Sequence, residues 1–140
     1  MNTFNKNMLF TTLALAITML LIPSSQQAND TKLVKVVIKN DIPGQTINTH
    51  CYSDEHDEFG VHTLSHGANF TFEFETIIPP VTKYYCELIT SHGSGNYEVF
   101  SRVLEAYECN AYCLWSVLAG GPCLQTIDKG VDCKSWGING

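Results

Sequence analysis

The sequence predicts an all-β fold: a small antiparallel β-sandwich of two sheets, about eight strands, stapled by disulfides. Three observations lead there. Beyond the first thirty residues the apolar positions recur with a period of two rather than about 3.6. Turn-forming clusters interrupt the apolar runs about every eight to twelve residues. Six cysteines, an even number, all lie beyond residue 50 of a 140-residue chain, the usage of a small exported domain that supplements its core with cross-links.

The N-terminus supports export. "MNTFNKN" carries one positive charge at Lys6, "MLFTTLALAITMLLI" (Met8 to Ile22) has none, and the polar stretch "PSSQQAND" follows. This is the layout of a cleaved secretory signal peptide, and the run is shorter than the roughly twenty apolar residues a spanning helix needs. Residues 1–28 therefore read as the signal, with Ala28 suiting the last position before the cut and Gln26 fitting poorly. Residues 29–140 read as one domain with an irregular C-terminal tail.

Within that domain, "TKLVKVVIKN" puts Leu33 and Val37 on one face and Val34, Val36 and Ile38 on the other, so both faces are partly covered. "NFTFEFE" directs Phe70, Phe72 and Phe74 one way and Thr71, Glu73 and Glu75 the other. "TKYYCELI", "NYEVFSRVLEAY", "YCLWSVL" and "CLQTI" continue the extended pattern. "FSRVLEAYE" also fits a helix face through Phe100, Val103, Leu104 and Tyr107, but the strand reading is preferred. "NDIPGQ", "SHG", "IPPV", "SHGSGN" and "AGGP" supply the turns. The tail "KGVDCKSWGING" is rich in glycine and polar residues and is expected to be held only if Cys133 is bridged.

Charge narrows the partners. Without Lys6, seven Lys/Arg face fourteen Asp/Glu, a formal charge of −7. Such a chain is repelled by phosphate backbones and anionic lipid, so neither nucleic-acid binding nor membrane insertion is expected. Two sequons, at Asn29 and Asn69, would accept N-glycans in a eukaryotic secretory pathway.

The densest chemistry lies in "THCYSDEHDEFGVHTLSHG" (residues 49–67), with four histidines and four carboxylates. His62 and His66 are four apart, but on a strand that spacing separates them by about 13 Å, too far to share an ion. The acidic run lacks the ligand spacing of a calcium loop. No G-x-S-x-G elbow is present, and the cysteines are better spent as bridges than as nucleophiles. The thin supply of Lys/Arg argues against a secreted ribonuclease. The chain is thus expected to be no enzyme, with no metal and no cofactor.

The order "VVIKN", "HCYSDEHDEFGVHTL", "FTFEF", "YYCELI" and "CNAYCLWSVLAGGPC" resembles the plant self-incompatibility S1 family. Asn40, His50, Cys51, Ser53, Gly60, Cys86, Cys113 and Trp115 fall on its pattern. The family's D-L-G is Glu58-Phe59-Gly60 here, a swap expected to preserve a turn at the glycine. The resemblance implies a secreted, disulfide-bonded β-sandwich that acts as a protein ligand, perceived by a cell-surface receptor, rather than as an enzyme; the chain is expected to be a monomer.

Cys109 and Cys113 would stand too far apart to pair with each other if that stretch is extended, since bridged Cα atoms lie within about 7 Å. Each is therefore expected to reach Cys51 or Cys86, in an order left open, while Cys123 and Cys133 close a small C-terminal loop. Trp115 is expected to pack the core near a bridge. The stretch Tyr52, Ser53, Asp54, Glu55, His56, Asp57 and Glu58, whose carboxylates have no packing rationale in the sequence, is the candidate recognition loop. "SHGSGN" is a weaker second. A carbohydrate-binding sandwich module of the cell wall or apoplast, using Tyr52, Tyr97 and Trp136, is the alternative.

Overall fold

The computed structural model describes residues 30–137, so the apolar N-terminal segment and Asn29 lie outside the described residues. Strand β1 (Thr31–Asn40) is the spine of the first sheet. Val34, Val36 and Ile38 are fully buried on its inner face, while Leu33 on the other face is 58% exposed. β1 pairs antiparallel with β4 (Asn69–Ile77), whose Phe70, Phe72 and Phe74 turn inward as the alternation predicts.

The five-stranded sheet runs β4-β1-β7-β8-β9, with β7 at Tyr112–Leu118, β8 at Gly121–Gln125 and β9 at Val131–Cys133. The four-stranded sheet runs β3-β2-β5-β6, with β2 at Ile47–Ser53, β3 at Glu58–Leu64, β5 at Tyr84–Ile89 and β6 at Ser94–Phe100. Between the sheets the rings interlock: Phe74 stacks on Tyr84 at 4.0 Å, Phe59 on Phe72 at 4.4 Å, and Phe100 meets Phe74 edge-on at 5.0 Å. Trp115, 1% exposed, fills the core and donates its indole N–H to the Val99 carbonyl at 3.0 Å.

Asn40, wholly buried, is the polar pivot of this core. Its amide donates to the carbonyls of Gln45 (2.8 Å) and Leu64 (2.9 Å), and its oxygen accepts from Ile42 N–H at 3.0 Å. One side chain thereby satisfies three backbone groups where the chain leaves β1 and where β3 ends.

The structure departs from the sequence reading in five places. The sandwich is not wholly antiparallel, because β7 lies parallel to β1 from Lys35–Tyr112 to Asn40–Val117. A crossover between sheets lets β7 enter in that direction, which a hairpin cannot do. The crossover contains the second departure. "FSRVLEAYE" is strand only to Phe100; α1 (Arg102–Leu104) comes next and widens into a π-type turn over Glu105–Cys109. Ser101, buried, caps it by accepting from Leu104 N–H at 3.3 Å, so the strand hands over to a helix at the serine.

That helix overturns the expected cysteine pairing. Cys109 bonds to Cys113, not to a distant strand, with Cα atoms 5.0 Å apart. The chain is coiled up to Cys109 and reverses at Asn110, where φ is +57°, so four residues suffice to bring the thiols together. Cys51 and Cys86 bond to each other across β2 and β5, where they are direct register partners with Cα atoms 4.1 Å apart. Cys123–Cys133 closes the C-terminal loop as expected.

Gly60, expected in a turn, lies inside β3 with φ +74°, beside a register slip between His50 and Tyr52 of β2. It is a bulge, and its positive φ is why glycine serves there. Lastly, the tail is less irregular than expected. Val131–Cys133 forms a ninth strand against β8, because bridged Cys123 and Cys133 sit opposite each other in the ladder.

Candidate recognition site

The candidate loop is the tip of the β2–β3 hairpin. Tyr52 and Ser53 belong to β2 and Glu58 to β3, so only Asp54–Asp57 are free of strand pairing. Ser53 builds the turn from inside: its Oγ accepts from Glu55 N–H (3.1 Å) and Asp57 N–H (2.9 Å), and its own N–H donates to Asp57 O at 3.0 Å. His56 sits at φ +82°, a left-handed position that tightens the reversal.

Three of the four carboxylates are spent on this architecture, which corrects the expectation that packing leaves them unexplained. Asp54 clamps the hairpin to the chain entering β5: Lys83 N–H donates to its Oδ1 and its own N–H donates to Lys83 O, each at 3.0 Å. Asp57 Oδ2 accepts from the Tyr84 hydroxyl at 3.0 Å. Burial, that hydrogen bond and the surrounding negative charges of Asp57, Glu55 and Asp54 together hold the Tyr84 phenol well above its ordinary pKa. Glu58 pairs with His50 Nε2 across the bulge and accepts from Gly60 N–H at 3.1 Å. The His50 hydrogen bond, aided by Gly60 N–H, lowers the Glu58 carboxyl below its usual range. Among the described residues only Glu55 and His56 of this stretch are exposed with no side-chain hydrogen bond.

Behind the tip, the solvent face of β2 and β5 carries a ladder fixed by register. Tyr52 stacks on Tyr85 at 5.7 Å and lies against His50 at 5.5 Å. Glu87, opposite His50, approaches its Nδ1 to 4.0 Å. Tyr52 therefore belongs to a packed ladder contiguous with the hairpin.

The second loop does not join this site. In the register of β2 and β5, Ser53 opposes Tyr84 while Asn48 opposes Ile89, so the β5–β6 turn lies at the opposite end of the sheet. Ser94, Gly95 and Asn96 are already strand. Thr90 Oγ1 organises the turn by accepting from His92 and Gly93 N–H at 3.1 Å, and the Ser91 hydroxyl donates to Gln45 Oε1 at 2.7 Å.

Of the other residues singled out, Tyr97 and Trp136 hold the C-terminal tail rather than forming an open platform. The Tyr97 hydroxyl donates to Ser135 O at 2.8 Å, and the Trp136 indole donates to Ala119 O at 2.7 Å. His62 stacks on Phe70 at 3.9 Å and bonds the Phe59 carbonyl, whereas His66 lies in the turn after β3. No cluster of three His, Cys, Asp or Glu placed to hold a metal ion occurs among the described residues. Asn69 is exposed at the start of edge strand β4, its Oδ1 accepting from Thr71 of the same sequon at 3.2 Å. No helix among the described residues is long and apolar enough to cross a membrane.

Sequence reasoning missed two functional facts about the scaffold: the internal use of Asp54 and Asp57, and the pivot role of Asn40. A buried-strand asparagine at the end of "VKVVIKN" was the available signal for the second. The partners of the two aspartates, Lys83 and Tyr84, lie more than twenty residues away and offered none.

Comparison with known proteins agrees with this architecture. S-protein homolog 3 of Arabidopsis thaliana is 26% identical over 84 residues, covering 58% of this chain and 55% of that protein. S-protein homolog 30 of the same plant is 39% identical over 75 residues, covering 52% of this chain and 55% of its own. The chain thus spans little more than half the length of these two relatives. A solved structure described as that of self-incompatibility protein homologues, "a widespread family of small, highly stable, secreted proteins from plants", superposes with a TM-score of 0.56. It is 18% identical and covers 75% of this chain and 95% of that one, which establishes the shared fold. The profile of the plant self-incompatibility protein S1 family matches residues 35–136, and with two disulfide-bonded sheets in the arrangement of that solved structure, the chain belongs to this family.

Proposed function

We propose that the protein is a secreted, non-enzymatic signalling ligand, a monomer recognised by a cell-surface receptor through the β2–β3 hairpin. The observation that carries this reading is the division of labour within the hairpin. Ser53, Asp54, Asp57 and Glu58 fix its shape from inside, leaving Glu55 and His56 to project from a rigid tip. A tip pre-ordered in this way loses little conformational entropy on binding, which favours recognition by a receptor. Secretion is supported by the N-terminal apolar segment, the six bridged cysteines and the description of the structurally similar proteins as secreted. Asn69, on an exposed edge, is the described position at which an N-glycan would be accommodated.

The test is binding of the labelled protein to plant cell surfaces and plasma-membrane fractions. The paired variant Glu55→Ser with His56→Asn should lose roughly tenfold or more in affinity, as removal of a central contact typically does. Asparagine is chosen because it tolerates the positive φ of position 56. Wild-type binding by a correctly folded double variant would reject the hairpin as the recognition element. A glycan array should remain blank; specific glycan capture would replace the receptor reading with a carbohydrate-binding one.

A further inference from the structure

The three bridges differ in what surrounds them. Cys51, Cys86 and Cys113 have no exposed surface, and Cys109 is 3% exposed. Cys123 is likewise 3% exposed, but its partner Cys133 is exposed, at the end of three-residue strand β9. β9 is the edge of its sheet, bonded to β8 on one side only. Thiol–disulfide exchange requires a thiolate to reach one of the two sulfurs, so access decides which bridge reacts while the protein stays folded.

The chain beyond Cys133 depends on that bridge. Residues 134–137 form a strap from the edge of the first sheet to β6, the edge of the second. Lys134 N–H donates to Pro122 O at 2.9 Å, and Gly137 N–H donates to Ser94 O at 3.1 Å. Between them Ser135 O accepts from Tyr97, and Trp136 lies edge-on to the Tyr97 ring at 6.1 Å. Gly93 is shaped for this contact: a Cβ there would fall 2.4 Å from Trp136 Cγ. The strap roofs a cleft of about 520 Å³ that reaches down to Leu104 and the core residue Trp115. β9 has only three residues of ladder, so the covalent link reinforces a near end otherwise held by that ladder, the Lys134–Pro122 bond and the Trp136 indole on Ala119 O.

We propose that Cys123–Cys133 is a thiol-exchange site, addressed by an external dithiol reductant, and that its opening frees the strap from β6. The reductant's thiolate attacks Cys133 Sγ, the S–S bond breaks, and Cys123 leaves as thiolate and takes up a proton. The second thiol of the reductant then displaces Cys133 from the mixed disulfide. The reductant ends as its own disulfide, and the protein gains two electrons and two protons. Cys51–Cys86 and Cys109–Cys113 stay closed, keeping both sheets and the β2–β3 hairpin intact, so the reaction alters the β6 edge and the cleft beneath the strap alone.

The experiment treats the secreted, oxidised protein with dithiothreitol under native conditions, quenches with iodoacetamide and maps labelled cysteines by mass spectrometry. Cys123 and Cys133 should be labelled roughly tenfold or more faster than the other four, with the far-ultraviolet spectrum unchanged. Labelling of all six at one rate, or of Cys109 and Cys113 first, would overturn the assignment. Amide exchange reads the consequence. Lys134 and Gly137 should exchange roughly tenfold faster in the partly reduced protein and in the double variant Cys123→Ser, Cys133→Ser. Equal exchange before and after reduction would refute the release of the strap.

Discussion

The Tyr84 hydroxyl donates to Asp57 Oδ2 at 3.0 Å, joining the first residue of β5 to the tip of the β2–β3 hairpin. Tyr84 is only 4% exposed and stacks on Phe74, so one ring spans the sandwich core and the surface loop. The loop's conformation is thus coupled to the packing of both sheets. Tyr84→Phe removes the bond while keeping the ring, and should cost about 1 kcal/mol, read from the midpoint of urea unfolding. Amide exchange at Asp57 should quicken in the same variant, since the turn loses an anchor.

The same pair sets an alkaline limit. The Tyr84 phenol is raised in the folded protein, so the folded state keeps its proton where the unfolded chain releases it. Stability should be unaffected below the ordinary tyrosine pKa and should decline as the pH rises past about 10. Tyr97, raised by burial under the strap, adds in the same direction. A series of unfolding curves between neutral pH and pH ~11 checks this; in Tyr84→Phe the alkaline decline should be shallower.

Glu58 works in the opposite sense. Its carboxyl is held low by His50 and Gly60 N–H, so the folded state releases this proton more readily than the unfolded chain. The contribution is present above the ordinary glutamate value and disappears as the pH falls through the lowered one. A two-dimensional NMR titration should place the Glu58 midpoint below the ordinary 4.5. Replacing His50 by alanine should move that midpoint upward.

Asn40→Ala would strand the Leu64 carbonyl and the Ile42 N–H inside the protein and remove the donor from the half-buried Gln45 carbonyl. With about 1–3 kcal/mol for each buried group left unpaired, the loss should be at least about 2 kcal/mol. Denaturant unfolding measures it directly, and Asn40→Asp should fare almost as badly because it lacks the two N–H donors.

The bridges should rank by the loops they close. Cys51–Cys86 spans 35 residues, Cys123–Cys133 spans 10 and Cys109–Cys113 spans 4. Chain-entropy arguments give about 4 kcal/mol for the first and about 2 kcal/mol for the last. Paired Cys→Ser variants, compared by thermal and denaturant unfolding, should show that order.

Much of the scaffold was legible in the chain because it rests on local periodicity. The alternation in "NFTFEFE" and "YCLWSVL" sets which residues face the core, and burial of Phe72, Cys113, Trp115 and Val117 obeys it. The failures share a different origin. "FSRVLEAYE" carries both periods, and the choice was made by Ser101 capping a helix and by Phe100 being claimed by the core. Once the helix formed, Cys109 could reach Cys113 and the long-range pairing expected for them lapsed.

The site divides the same way. Sequence alone marked "YSDEHDE" as a dense acidic turn between strands, because composition and turn chemistry are properties of neighbours along the chain. Which of its carboxylates are free was settled by residues distant in sequence. Lys83 and Tyr84 take up Asp54 and Asp57 only because β5 lies beside β2, and His50 takes up Glu58 only because a bulge sets the register. The sequence by itself determined a cysteine-rich β chain with its core faces and most of its turns. Sheet order, the parallel entry of β7, the disulfide partners and the exposure of Glu55 and His56 were decided by tertiary structure, since each depends on strands meeting across gaps that no local pattern encodes.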